Sequence, residues 1–227
     1  MFKDNFKERN KYSHKGEFGR LLIIAGSKGF TGAAYLCAES SVKSGTGLVT
    51  LATSKDVQGI LSSKLEEAMT INYEEYKEIK NIMVKANCIA IGPGMGKNNK
   101  TEELLKKIIR DYNGNVVIDA DGINVLENNL DIIKNSKGKI VITPHLGEFS
   151  RITGYDIDYI QKNRLKLARE FAKENNVIVV LKGYNTIITN GEKVFVNSTG
   201  NSAMASGGMG DCLTGIIASF ISQGIVH

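Results

Sequence analysis

The densest chemistry in the sequence is Gly207-Gly208-Met209-Gly210-Asp211, set directly before the apolar helical run CLTGIIASFIS. Backbone N–H groups at a helix start have no intrahelical partner. Glycines leave them open, so this segment suits an anion such as a transferring phosphoryl group. Asp211 at the helix start could take the proton of an attacking hydroxyl. An ordinary helix cap would not call for three glycines before it. Further unusual residues follow apolar runs: Gly26-Ser27-Lys28-Gly29-Phe30-Thr31-Gly32, Gly92-Pro93-Gly94-Met95-Gly96, Asp119-Ala120-Asp121-Gly122-Ile123-Asn124, Pro144-His145-Leu146-Gly147-Glu148 and Lys182-Gly183-Tyr184-Asn185-Thr186. Lys182 could meet nucleotide phosphates, and Thr186 could hydrogen-bond them or a ribose. His145 reads as a ligand contact or as a satisfied loop histidine, and Asp121 and Asn124 as polar ligand contacts or helix caps.

Better-known motifs do not fit. Gly96-Lys97 is followed by Asn98 and lacks the earlier glycine of a Walker A loop, and the 92–96 glycines are spaced G-x-G-x-G, not G-x-G-x-x-G. Asp119-Ala120-Asp121-Gly122 is similar to the nucleophile loop of haloacid-dehalogenase-like phosphatases, but Ile123 stands where that motif wants Thr. Each glycine loop alone could be a tight turn. Two of them after strands favour phosphate contact.

The elements that must position these residues alternate. Strands are expected at 20–25, 48–52, 88–91, 116–119, 140–143 and 177–181. Several are apolar on consecutive residues, as in strands buried on both faces of a parallel sheet. Helices are expected at 32–44, 73–86, 100–112, 157–175 and from about 210 to 222. Asn190-Gly191, between 185–188 and 193–197, reads as a hairpin. The pattern predicts an α/β fold: a central, mostly parallel sheet flanked by helices, in a single domain over residues 1–227. Ligands of such sheets bind beyond the carboxyl ends of the strands, where the unusual residues fall.

Composition bounds the rest. The chain has 227 residues, with 24 Gly and 2 Pro; average usage predicts roughly 16 and 11. Thirteen of the glycines lie at the first strand and its loop, after the third expected strand, and around the last helix start. Hydrophobic residues at 42% and charged residues at 23% exclude disorder as the main state. A net charge of +5, spread without basic runs, gives no case for nucleic acid. Cys37, Cys88 and Cys212 are far apart and odd in number, which argues against disulfides and a zinc site and fits a reducing cytoplasm. They read as core or near-core residues without chemistry. The opening segment MFKDNFKERNKYSH has no apolar core and is not expected to be a signal peptide. No run of 18 apolar residues occurs, so no membrane span is expected.

Assembled, the chain resembles the NAD(P)H-hydrate dehydratase family of the ribokinase-like superfamily. The resemblance rests on HKGEFGRLLIIAGS, TGAA, KSGTGLVTLAT, AIGPGMG, VIDADGINVL, VITPHLGEFSRITG, VVLKGYNTII and ASGGMGDCLTGIIASFISQG, in family order from His14 to Gly224. It implies ADP-dependent dehydration of the 6-hydroxy form of NADH or NADPH, through phosphorylation of the hydroxyl and loss of phosphate, with ATP as the donor in some members and Mg²⁺ as the metal. Position by position, it implies Asp211 as the base. Ala33, Gly94, Gly96, His145 and Asp211 would contact the hydrated dinucleotide, and Lys182, Gly183, Tyr184, Asn185, Thr186 and Gly210 the adenine nucleotide. Glu148 would be a metal-water contact, not a ligand. It also implies a cytoplasmic homo-oligomer, a tetramer in many members. Family domains usually continue past the last helix with further helices, so the resemblance expects a short C-terminal end here. Two other readings stay open: a ribokinase-like kinase of a small vitamin-type alcohol, and a catalytically weak nucleotide-binding protein.

Overall fold

Residues Leu21 to Ile24 are consecutive, apolar and buried, which a strand can satisfy only if both faces are covered. The computed structural model describes residues 10–225. Segment 1–9 and residues 226–227, on which the expectations about a leader and about the chain's end fall in part, lie outside the described residues. The strands are β1 (Arg20–Ile24), β2 (Leu48–Thr53), β3 (Met69–Asn72), β4 (Cys88–Ile91), β5 (Asn115–Ile118), β6 (Ile140–Ile142), β7 (Val177–Leu181), β8 (Thr186–Thr189) and β9 (Val194–Asn197). The α-helices are α1 (Thr31–Lys43), α2 (Lys55–Lys64), α3 (Tyr76–Met83), α4 (Asn99–Asp111), α5 (Asp121–Asn124), α6 (Asp131–Lys134), α7 (Leu146–Thr153), α8 (Ile157–Asn175) and α9 (Met209–Ser222). The described strands form one sheet in the order β3-β2-β1-β4-β5-β6-β7-β8-β9. Strands β1 to β7 are parallel, and β8 and β9 add as an antiparallel hairpin.

Alternation along each strand feeds two cores. Leu22 and Ile24 pack with Leu105 and Ile108 of α4 and with Phe149 and Phe171 of α7 and α8. Leu21 and Ile23 pack on the other face with Ala34 and Cys37 of α1, Val57 and Leu61 of α2, and Ala218 of α9. Among the described residues no helix is long and apolar enough to cross a membrane.

Several elements depart from the sequence expectation. Strand β3 (MTIN) has an exposed or half-buried face throughout, so it lacks the apolar run that marks the central strands. Helix α2 carries Gly59 and buries only Val57 and Leu61, too few to set a clear period. Helix α7 begins inside what reads as a loop after β6. The helix expected at 73–86 is the shorter α3.

Helices α1 and α9 pack unusually close. A Cβ at Gly215 would lie 2.2 Å from Ser40 Oγ and 2.3 Å from the Cys37 carbonyl oxygen. Gly215→Ala is therefore expected to destabilise the protein by about 1–3 kcal/mol. The gain in helix propensity returns at most about 1 kcal/mol, and a backbone carbonyl cannot swing aside as a flexible side chain would. A lower urea midpoint at unchanged m-value is the expected observation; an unchanged midpoint would show that the helices part freely.

The topology sets the site. Strands β1, β4, β5, β6 and β7 all release their chains at one sheet edge. The β8–β9 hairpin returns the chain to that same edge, where α9 begins.

Candidate active site

The loops after β1 and β4 are stitched together. Gly26 N–H donates to the Pro93 carbonyl at 2.8 Å, and Ser27 Oγ–H to the Gly94 carbonyl at 2.8 Å. A Cβ at Gly94 would come within 3.0 Å of Ala33 Cβ, so these two expected substrate contacts are neighbours. At Gly92 a Cβ would overlap the Asp119 carbonyl oxygen at 1.9 Å, and φ is +128°, so only glycine fits. Gly96 N–H is already engaged, donating to Asp121 Oδ2 at 2.7 Å. The other Asp121 oxygen accepts from Asn124 Nδ2, and Asn124 Oδ1 accepts from Arg151 Nε.

At the centre is Asp119, one residue past β5 and 1% exposed. One of its oxygens accepts from Lys182 Nζ at 2.8 Å, the other from the Thr214 hydroxyl of α9 at 2.7 Å. Lys182 Nζ also lies 3.9 Å from Glu148 Oε2. Ala120 between the two aspartates has φ +49° and ψ −118°, a strained conformation for a residue with a side chain. That turn sends Asp119 toward α9 and Asp121 toward the 92–96 loop.

Helix α9 starts from Gly208, whose φ of +87° leads the chain into the helix; a Cβ there would meet Leu36 Cδ1 at 2.3 Å. The first amides of α9 have no intrahelical acceptor. A Cβ at Gly210 would lie 3.5 Å from Lys182 Nζ, so the cation and the helix start converge on one place. Asp211 is the third residue of α9. Its carboxyl is pushed up to about 6, first by burial and then by the negative charge of Asp119, with Lys182 opposing. Among the described residues no hydrogen bond offsets that burial. Such a carboxylate is ionised at neutral pH yet basic enough to take a proton.

His145 caps α7. Its Nδ1 accepts from the N–H groups of Gly147 and Glu148, at 3.0 and 3.2 Å, which assigns its proton to Nε2. Burial first, then Lys182 and Arg151, lower its pKa, so the ring is neutral at pH 7. Glu148 accepts from the His145 N–H at 2.8 Å, and burial raises its pKa.

The residues expected from sequence sort clearly. Lys182, Gly210, Asp211, His145 and Glu148 meet around Asp119, and Ala33, Gly94 and Gly96 form the adjoining wall. Gly183, Tyr184, Asn185 and Thr186 make the β7–β8 loop, with Tyr184 87% exposed and the Thr186 hydroxyl donating to the Gly183 carbonyl. Sequence reasoning missed Asp119 and Thr214 as organising groups. A carboxylate ending the apolar run VVI was the signal for the first; Thr214, inside an apolar helix, gave none.

The family model described as NAD(P)H-hydrate dehydratase matches residues 21–226. The chain is 35% identical over 218 residues to the ADP-dependent (S)-NAD(P)H-hydrate dehydratase of Listeria monocytogenes, covering 95% of this chain and 76% of that protein. It is 37% identical to the bifunctional NAD(P)H-hydrate repair enzyme Nnr of Moorella thermoacetica over 96% of this chain, but spans only 43% of that longer relative. The crystal structure of the ADP/ATP-dependent NAD(P)H-hydrate dehydratase from Bacillus subtilis, co-crystallized with ATP/Mg²⁺, superposes with a TM-score of 0.85 at 31% identity, over 97% of this chain and 78% of that one. The sheet and its flanking helices are ribokinase-like. With a family model that matches residues 21–226 and a relative 35% identical over most of both chains, the chain belongs to the NAD(P)H-hydrate dehydratase family.

Proposed function

We propose that this chain restores NADH or NADPH from its 6-hydroxy hydrate, using ADP, or ATP, as phosphoryl donor. The observation that carries the reading is the convergence of Asp211, Lys182 and the start of α9 on one place at the sheet edge. Asp211 would take the hydroxyl proton as that oxygen attacks the terminal phosphorus of the nucleotide, whose bridging oxygen leaves with AMP. Lys182 and the α9 amides would hold the charge on the phosphoryl oxygens. Phosphate, a far better leaving group than hydroxide, then departs as the ring nitrogen supplies electrons. Loss of the neighbouring ring proton restores the double bond. The sum is hydrate plus ADP giving the reduced dinucleotide, AMP and phosphate.

His145, neutral and with its Nε2 3.4 Å from Glu148 Oε1, and the wall of Ala33, Gly94 and Gly96 suit the dinucleotide side. The 182–186 loop and Gly210 suit the adenine nucleotide. Among the described residues there is no group of three or more metal-ligating side chains. The donor set therefore fits Mg²⁺ carried on the nucleotide phosphates, with Glu148 reaching it through water; the ion would neutralise phosphate charge there. We read residues 1–227 as one domain, supported by the single sheet. A cytoplasmic homotetramer completes the proposal. Free thiols at Cys37, Cys88 and Cys212 support the reducing compartment, and the exposed Val194, Phe195 and Val196 of β9 support association.

The test is to incubate the protein with hydrated NADH, Mg²⁺ and ADP or ATP. The reduced-nicotinamide absorbance should return with one free phosphate per turnover. No return with either nucleotide would overturn the reading. Accumulation of a stable phosphorylated alcohol in a substrate screen would replace it with the kinase reading, and nucleotide binding without turnover with the binding-protein reading.

A further inference from the structure

A guanidinium beneath the β7–β8 loop has no role in the chemistry above. Arg164 stands on α8, and its Nη1–H donates to the Tyr184 carbonyl, while Nη2–H donates to the Leu181 carbonyl at 3.4 Å. One side chain thus ties together the two ends of the turn that carries Lys182. The fit is close: a Cβ at Gly183 would lie 3.1 Å from Nη2, and Gly183 itself has φ +142°. Arg164 Nε is buried and has no hydrogen-bond partner. Among the described residues no charged side chain compensates the burial of this cation. The helix breaks at the residue before it, with Asn163 at φ −126° and ψ 20° and its side chain donating to the Tyr159 carbonyl. A partly desolvated guanidinium with a buried, unpartnered Nε and no carboxylate carries a cost, and a broken helix turn adds to it. Surface solubility explains neither.

The β7–β8 loop needs such a hold. Besides Gly183, Asn185 sits at φ +54°, so the turn uses two left-handed residues within three. The Lys182 N–H is fixed to the Pro144 carbonyl and its ammonium to Asp119, which anchors only the near end. Tyr184, at the far end, is almost entirely in solvent and is held through its carbonyl.

We infer that Arg164 is a positioning residue that fixes the 182–186 loop in the conformation that receives the nucleotide. This rests on the proposed function for the identity of the ligand. It acts through the loop backbone and not by meeting phosphate. Two separate nitrogens reach two separate carbonyls, a geometry that lysine cannot reproduce.

The test compares wild type, Arg164→Met and Arg164→Lys; both variants keep the aliphatic stem. Hydrogen exchange of the 182–186 amides should speed up at least about 10-fold in both variants, with the β7 amides unchanged. The Kd for ADP by calorimetry should rise about 10-fold in both, because less of the free protein has the competent loop. Turnover at saturating nucleotide should stay within about twofold. Wild-type affinity in Arg164→Lys would mean that charge alone matters and would overturn the inference. So would an unchanged loop exchange in Arg164→Met, a loosened loop with unchanged Kd, or faster exchange through β7 as well. If wild type binds ADP but does not turn over the hydrate, the dehydratase reading fails, and the Kd comparison still decides the role of Arg164. No ADP binding by wild type would overturn both.

Discussion

Asp211→Asn should lower the turnover of hydrated NADH by about 1000-fold, in the middle of the range for removing a general base, with the nucleotide KM nearly unchanged. Asparagine keeps the volume at the third position of α9, so the helix start, Gly210 and Lys182 stay where they are. Only the proton acceptor is lost. The pH dependence follows from the same carboxylate. It must be ionised to act, and burial and Asp119 hold its pKa at about 6. In wild type kcat/KM should therefore fall with unit slope below about pH 6 and be flat above it. The variant should lose that limb.

The stability of the same variant moves the opposite way. The folded-state pKa of Asp211 lies above its unfolded value, so the unfolded chain gives up this proton more readily. Ionisation therefore destabilises the fold as pH rises through the window from about 4 to 6. Replacing the carboxylate by a neutral amide should relieve that cost at pH 8, and the relief should fade as the pH falls through the window. The group is half-exposed, so screening reduces the effect to about 1 kcal/mol. In a domain of this size that is about 2–4 °C in Tm. A variant that is both slow and more stable at pH 8 would mark a site where stability is given up for function. A variant with wild-type rate would remove Asp211 as base.

Much of the site was legible because its glycines and charged residues interrupt apolar runs at fixed places. RLLII, CIAI and VIVVL read as buried strands, so whatever follows them falls at one edge. Gly207-Gly208-Met209-Gly210-Asp211 read as a helix start for the same reason. What was not legible depends on tertiary partners. Strand β3 takes its conformation from pairing with β2, not from its own four residues. Helix α7 owes its start to the His145 cap, and a histidine ring is a rarer capping group than the hydroxyl and carboxylate side chains that sequence rules look for. The part played by Asp119 requires Lys182, 63 residues later, and Thr214, 95 residues later, to arrive at its two oxygens. No local pattern contains that information.

That convergence makes Asp119→Asn the second large effect. The carboxylate is almost fully buried, and among the described residues its one compensating cation is Lys182, whose next carboxylate oxygen is 3.9 Å away on Glu148. Neutralising Asp119 leaves that partly buried ammonium, 19% exposed, without its close partner; breaking a fully buried pair from one side costs about 3–5 kcal/mol, so about 3 kcal/mol is expected here. Thr214→Val removes the other donor but strands no full charge, so about 1–3 kcal/mol is expected there. Lys182→Met in the Asp119→Asn background should cost much less than either substitution predicts alone, because the charge left unpaired by one is removed by the other. Urea titrations of the singles and the double close that cycle. Additive losses would mean that Asp119 and Lys182 stabilise the fold independently. The activity profile adds a check that general destabilisation would not pass. Asp119 is the leading charge raising the Asp211 pKa. Removing it, with Lys182 then freer to favour the ionised form, should move the acid limb of kcat/KM to lower pH. A limb that stays near 6 in folded Asp119→Asn protein would mean that burial, with the smaller effect of Asp121, tunes the base, and that the Asp119–Lys182 pair serves to place Lys182 rather than to set the proton affinity of Asp211.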